Sequence, residues 1–317
     1  YFINDELNFV KISLLDGSQD SYIELDILID IDLSQPVSIA KINNFFYAGF
    51  GNGTIIKLDE SGIIYWNLNF KDLLRTPIKV QNNNIIAMFN SNRILSINPK
   101  DGSIMWEYYY ELDKYSSSSG GTILSKGNIL FFIMPNGRLG AIDTIVGEKL
   151  KLDFLNKIQQ KSILNYNYKA SIYIHENLFS FLENLDSIFT YNFDINEFTL
   201  FNNKITSNVS YSFLSNVLLI LDNNNLLKAY NINNKNIFWQ IDLSDELSNN
   251  DKIIQTFIIK DDIIIFFSKG MILQLNKLNG EILFKQNLKL SEIAYINSYN
   301  ENIAMSLKNG KIVFYKQ

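Results

Sequence analysis

The chain has 317 residues, 47% of them hydrophobic with 23 Phe and 17 Tyr, and a formal net charge of −5 at pH 7. It has no cysteine, which excludes disulfides, thiolate zinc sites and Cys nucleophiles, and no run of Lys and Arg able to neutralise a stretch of phosphates, so nucleic acid is not expected as a partner. Its longest apolar runs, at 216–221 and 263–267, fall far short of the roughly 18 to 20 residues that a membrane-crossing helix needs.

Ile, Phe, Tyr and Val crowd the sequence while Ala is scarce. Branched and aromatic side chains suit a pleated, half-buried surface, so the composition predicts strands. The opening "YFIND" reads as the end of a strand, and the N-terminus is expected to have been trimmed. The stretch 8–23, "NFVKISLLDGSQDSYI", then alternates as two strands around a polar turn, which is a hairpin. The same statement returns at 53–66, "GTIIKLDESGIIYW", and at 92–106, "NRILSINPKDGSIMW". Between them, "TPIKVQ" (76–81), "NNN" and "IIAMFN" (85–90) supply two further short strands.

A polar run, "SSSSGG" (116–121), follows; it has neither the Lys nor the following helix of a phosphate-binding loop and reads as a surface loop. The hairpin recurs at 137–152. The stretch 154–165 is then an inserted connection with at most a helical turn, and it lies in the longest of the repeat spacings. Further copies stand at 186–200, 225–239 and 270–284, and a half copy, "GKIVFYKQ", closes the chain. A second loop with at most a helical turn is read at 245–251. No window keeps apolar residues at i, i+3, i+4 and i+7 beyond about two turns, so helices are not expected.

Leu7, Gly53, Asn92, Gly137, Asp186, Asn225, Gly270 and Gly310 are equivalent positions in this series. Their spacings, about 39 to 49 residues, are those of β-propeller blades. Four short strands per unit complete the pattern. The chain is therefore expected to be all-β, a single propeller domain over residues 1–317 built of four-stranded antiparallel blades. Asn in place of Gly preserves the turn, because Asn best tolerates the left-handed conformation. Two closures are open: the strand at 21–26 completes a seven-bladed ring, or residues upstream of Tyr1 complete an eight-bladed one. Eight is favoured, since 1–26 reads as the second, third and fourth strands of a blade.

Little in the sequence points to catalysis. His175, the only histidine, ends a predicted strand with no Cys or second His as a co-ligand, and is read as a solvated or hydrogen-bonded strand-end residue. No GxSxG nucleophile turn is present. Asp59, Asp101, Asp143 and Asp194 recur at equivalent turns on separate blades, where Asp accepts backbone N–H bonds, so they are not read as a calcium site. Trp66, Trp106 and Trp239 are placed at the ends of outermost strands as packing residues between blades.

The repeat of Asp or Asn, Gly, then Trp or another aromatic resembles the quinoprotein-type blade motif of PQQ-dependent dehydrogenases and of the BamB family, propeller lipoproteins of the outer-membrane β-barrel assembly machinery. Details lean to the BamB family. The segment from Trp106 to Arg138 is similar in spacing between a blade-end Trp and the next "NGR". The stretch "NIAMSLKNGKIVFYKQ" resembles the family's ending, and "YFINDELNFVKISLLDGS" its first blade entered midway. The resemblance covers essentially the whole chain.

It implies a non-enzymatic scaffold without cofactor or metal, periplasmic and anchored to the outer membrane by a lipid on a Cys upstream of Tyr1. The implied partners are the periplasmic domains of the barrel-assembling subunit, with unfolded outer-membrane proteins as further candidates. Family contact loops fall by position on Tyr115, Ser117 and Ser118, where the family has Leu, Leu and Arg, and near Asn167 and Lys169, where it has two acidic residues; none of those side chains is retained. The alternatives weighed are a quinoprotein dehydrogenase relative, which would need a calcium site and basic residues around the quinone, and a cytoplasmic WD-type interaction propeller.

Overall fold

The structure, a computed structural model, describes residues 1–13, 18–26, 37–109, 121–134, 138–154, 171–174, 178–182, 187–192, 197–202, 210–214, 216–248, 251–299 and 302–316. Among them the secondary structure is strand alone, in eight antiparallel sheets. Six sheets have four strands and two have three. Each sheet is one blade of a β-propeller, and the strands of a blade are neighbours in chain order, first to fourth.

Blade 3 shows the pattern: Lys79–Gln81, Asn84–Met88, Arg93–Ile97 and Ile104–Tyr109. First strands of successive blades pack on one another, so they lie innermost around the axis. Second strands such as Val217–Leu221, VLLIL, are buried at every position. An unbroken apolar run here signals a strand covered on both faces rather than a helix. Fourth strands, such as Ile64–Asn69, alternate between half-buried and exposed, as outermost strands should.

The core is divided between blades. Ile85, Ala87 and Phe89 point toward blade 2 and pack with Tyr47 and Ile55. Ile86 and Met88, on the other face of the same strand, point toward blade 4 and pack with Leu130 and Phe132. Ile263, Ile265 and Phe267 likewise face blade 6 while Ile264 and Phe266 face blade 8. The period of two along a strand thus feeds two separate interblade cores.

The equivalent positions found in the sequence share one backbone state. Leu7 (φ 63°), Gly53 (87°), Asn92 (66°), Asn225 (59°), Gly270 (89°) and Gly310 (82°) are all left-handed. The substitution of Asn for Gly does preserve this turn; Leu7 adopts it as well, though a Cβ makes the conformation costly. Gly137 and Asp186 lie outside the described residues.

The strand covering 21–24 is part of Gln19–Glu24, which pairs with Asn8–Ile12 inside blade 1. It does not join the last sheet, so the strand swap that would give seven blades is not what the chain does. Blade 1 has three strands, Phe2–Ile3, Asn8–Ile12 and Gln19–Glu24, and blade 8 has Ile293–Tyr299, Asn302–Leu307 and Ile312–Lys316.

The tryptophans do not end their strands; each is the third of six residues. A bulge in the fourth strand stands directly before each Trp, where Tyr65, Met105 and Phe238 are the extra residues opposite the steps Lys57 to Leu58, Ser96 to Ile97 and Ala229 to Tyr230. Bulges add twist and re-aim side chains. Here they coincide with indoles turned toward the next blade: Trp106 Nε1 donates to Thr144 O at 2.8 Å, Trp239 Nε1 to Lys277 O at 2.9 Å, and Trp66 Nε1 to Pro99 O at 3.4 Å. The described residues of 245–251 include a short turn, closed by Leu247 N–H donating to Leu243 O at 2.9 Å.

Candidate functional site

Alternation of strand direction fixes which connections share a face. Turns between second and third strands lie on the same face as the links from an outermost strand to the next innermost one. Turns between first and second strands, and between third and fourth, lie on the opposite face. The two loops singled out in the sequence are both links of the first kind. Tyr115, Ser117 and Ser118 fall in 110–120, between Ile104–Tyr109 of blade 3 and Thr122–Lys126 of blade 4, and lie outside the described residues. Asn167 and Lys169 fall in 155–170, between Lys149–Phe154 of blade 4 and Ser171–Ile174 of blade 5, and also lie outside them. The anchoring strands therefore open both loops on one face, in consecutive interblade gaps.

The described residues at the root of the first loop are aromatic and charged. Tyr109, 62% exposed, is paired across the sheet with Arg93. Arg93 Nη1 donates to Glu107 Oε1 at 3.3 Å, and its guanidinium lies over the rings of Phe89 (5.0 Å) and Phe70 (5.5 Å). A planar cation held by a carboxylate and two rings is a fixed feature rather than a loose surface charge. One blade earlier on this face, Asp72 accepts from Ser91 N–H at 3.2 Å and from the Ser91 hydroxyl, tying the link between blades 2 and 3 to the Ser91 turn. Arg75 Nη2 donates to Asn90 O at 3.2 Å beside it. Sequence reading missed this clamp, because Asp72 and Ser91 belong to no motif and meet only once two blades are side by side.

The opposite face is knitted by turn residues. Asn82 Nδ2 donates to Thr144 Oγ1 at 2.7 Å and to Asn128 Oδ1 at 3.1 Å, joining blade 3 to blade 4. Asp59 accepts from Ser61 N–H (2.9 Å), Ser61 Oγ (2.6 Å), Ile63 N–H (3.1 Å) and Tyr65 Oη (3.1 Å). Asp101 and Asp143 cap their turns in the same way, toward Ser103 and toward Ile145 and Val146. These aspartates are turn caps, as their repetition suggested. Asp194 and His175 lie outside the described residues. Among the described residues no three His, Cys, Asp or Glu side chains stand close enough together to hold a metal ion.

A cleft of about 740 Å³ separates blade 1 from blade 8. Ile3 borders it on blade 1, Val37 and Ile39 on blade 2, and Asn297, Ala304 and Ser306 on blade 8. Tyr1 stands at its rim, its ring stacked on Phe9 (5.4 Å) and tilted on Phe46 (4.4 Å), with Lys41 Nζ 5.7 Å from the ring centroid. Tyr1 Oη donates to Glu60 Oε1 at 2.8 Å. Burial, reinforced by that carboxylate, pushes the phenol up to about 12.

Comparison with known proteins gives a consistent picture. Residues 30–161 match the family model described as outer membrane protein assembly factor BamB. The fold is similar to that of BamB from Moraxella catarrhalis, with a TM-score of 0.67 at 15% identity, covering 95% of this chain and 89% of that one. It is also similar to the C-terminal WD40 domain of Sif2 (TM-score 0.64, 12% identity, 98% and 89% covered). A third is Sqt1 of Saccharomyces cerevisiae (0.60, 11%, 86% and 81%). A search of curated proteins finds no significant match.

Proposed function

We propose that this chain is a BamB-like scaffold of outer-membrane protein assembly, non-enzymatic and periplasmic, in which one rigid propeller over residues 1–317 presents loops to the barrel-assembling subunit's periplasmic domains. The observation that supports the reading is the position of the strands that flank the two candidate loops. Their anchoring strands sit on adjacent blades and open them on the same face, next to the Arg93, Glu107 and Tyr109 root. The match of the BamB family model to 30–161 spans the first loop and enters the second. A surface of aromatic and arginine groups on a stiff frame is a common composition for an interface anchor.

The mechanism follows from the frame. Interblade cores and turn clamps hold the loop roots fixed, so docking leaves the frame in place and little binding energy is lost to rearranging it. The test is recovery of the subunit's periplasmic domains on the immobilised chain. Replacing Tyr115 with Ala and Ser118 with Glu, with Asn167 and Lys169 exchanged for Ala in a second variant, is expected to lower recovery at least ~10-fold, the loss of a single hot spot. Unchanged recovery by both variants removes this face from consideration. Fractionation of cells expressing the native gene tests the location, and a cytosolic pool alone overturns it.

A further inference from the structure

We infer that the face opposite the candidate loops is a self-association surface, on which a second copy of this chain docks ring to ring about a two-fold axis. This goes beyond the scaffold reading and does not depend on it.

A repeated bulge builds the surface. In blades 2, 3, 4, 6 and 7 the fourth strand carries one extra residue near its start: Tyr65, Met105, Leu150, Phe238 and Leu283 in turn. Each is a large apolar side chain between 46% and 55% exposed. A bulge takes its extra residue out of the ladder and re-aims it, and an outermost strand ordinarily shows water charged or polar side chains there. Single exposed hydrophobic residues need no explanation, but recurrence at one register position of successive blades does.

These residues stand at one height. Each follows the turn between third and fourth strands, so all lie on the face opposite the loops. The turns add Ile63 in blade 2, Ile145 and Val146 in blade 4, and Leu278, 82% exposed, in blade 7. Tyr65 shows the direction, because its hydroxyl donates to Asp59 Oδ2 of its turn at 3.1 Å. In the same blades the loop face offers Leu73 and Tyr109 alone among the described large exposed hydrophobic residues.

Area, shape and charge name the occupant. Half-exposed side chains of this size present on the order of 100 Å² each, so the belt presents on the order of 800 Å², about one partner's share of a stable dimer. That exceeds the largest apolar patch of an ordinary monomer. A belt at constant height and radius is matched by a flat surface or by another belt. The turns of this face hold both signs of charge side by side, Lys100 with Asp101, Glu148 with Lys149 and Lys260 with Asp261. A bilayer surface calls for a basic excess, whereas mixed signs can pair when a surface meets its own copy.

The break in the belt sets the rotation. In blade 1 the bulge residue is Asp20. A two-fold axis that lays blade 2 over blade 7 of the copy, and blade 3 over blade 6, puts apolar on apolar and leaves blade 1 over blade 8. Other two-fold rotations lay part of the belt on blade 1 or blade 8. The two loop faces then point away from each other, so pairing here and docking there are independent.

The test is the mass of the chain in solution, followed by analytical ultracentrifugation across concentration. The 317-residue chain is expected to be a dimer at micromolar concentration. Met105→Lys combined with Phe238→Lys, both at exposed positions, should weaken self-association at least ~30-fold, the loss of one hot spot, with an unchanged melting temperature. Leu73→Lys, on the loop face, should leave the dimer intact. The chain has no cysteine, so Lys100→Cys and Asn233→Cys chains, mixed and treated with a short bis-maleimide, report the rotation, and cross-links are expected between unlike chains. A chain that stays monomeric up to ~100 μM overturns the proposal, and its co-sedimentation with phosphatidylcholine vesicles would assign the belt to a bilayer instead. Dissociation by Leu73→Lys, or cross-links between like chains alone, overturns it as well.

Discussion

Trp106 reaches across a blade boundary: its indole N–H donates to the carbonyl oxygen of Thr144 at 2.8 Å, and Gly147, in the same turn, lies beneath its ring. A Cβ on Gly147 would come within 2.6 Å of Trp106 Cγ. Trp239 repeats the pair with Lys277 and Gly280. Blade 3 is therefore latched to blade 4, and blade 6 to blade 7, by one aromatic ring, one carbonyl and one residue without a side chain.

Trp106→Phe removes the donor and part of the ring, and is expected to cost about 1–3 kcal/mol, the range of a buried hydrogen bond plus a partly refilled cavity. Trp239→Phe should cost the same, and Trp66→Phe less, because its bond is longer and its ring only partly buried. Urea unfolding measured by fluorescence of the remaining tryptophans ranks the three. A larger loss at Trp66 than at Trp106 would contradict the latch.

Gly53→Ala places a Cβ 2.0 Å from Asp72 O at a φ of +87°, so neither local adjustment nor a rotamer change relieves it. The expected loss is about 2–4 kcal/mol from backbone strain and forced displacement. Asn92→Gly keeps the left-handed turn and should stay within about 1 kcal/mol of wild type. Thermal melting of both variants distinguishes a conformational requirement from a side-chain one.

Ser38 Oγ accepts from Ile78 N–H at 3.1 Å and donates to Gly49 O at 3.3 Å, linking blade 2 to blade 3. Ser38→Ala leaves the Ile78 N–H without that acceptor and is expected to cost about 1–3 kcal/mol, the desolvation penalty of one unpaired donor. Hydrogen exchange should report a faster Ile78 amide, and Ser38→Thr should restore its protection.

Stability should fall in acid through the turn caps. Burial works against the charged form of Asp59, but the Ser61 hydroxyl and the Ile63, Tyr65 and Ser61 donors outweigh it and hold the carboxyl below its ordinary value. The Ser103 backbone N–H and hydroxyl do the same for Asp101, and the Ser244 hydroxyl and N–H for Asp242. A folded-state value below the unfolded one means that the stabilisation is complete above the unfolded value of about 4 and is lost as pH falls through the folded one. The triple variant with Asn at 59, 101 and 242 should show a flatter dependence of the urea midpoint between about pH 4 and 2. An equal slope in wild type and variant would show that other groups govern the acid limb.

Much of the frame could be read directly from residues. Leu7, Gly53, Asn92, Asn225, Gly270 and Gly310 fall on one turn because a left-handed residue leaves a local signature, Gly or Asn at a fixed distance from an alternating strand. The runs at 216–221 and 263–267 were read only as too short to cross a membrane, and the structure places them in second strands buried along their length. The strand positions of the tryptophans were read as terminal, because a bulge adds a residue without altering the apolar pattern around it. Tyr115, Ser117, Ser118, Asn167 and Lys169 were reached through a resemblance, and nothing in their own spacing marks them. The Asp72–Ser91 clamp and the Ser38–Ile78 link left no trace, being single polar residues among many.

Taken alone, the sequence determined the all-β class, the repeat, the hairpins and their left-handed turns, because these depend on backbone preferences and alternation within a few neighbouring residues. The tertiary structure decided which blade each side chain faces, how Trp106 meets Thr144 and Gly147, and that the strand at 19–24 stays in blade 1 while a cleft stands between blades 1 and 8. Those relationships join residues about forty or, across the cleft, nearly three hundred positions apart, and proximity of that kind arises only when separate sheets are brought face to face around an axis.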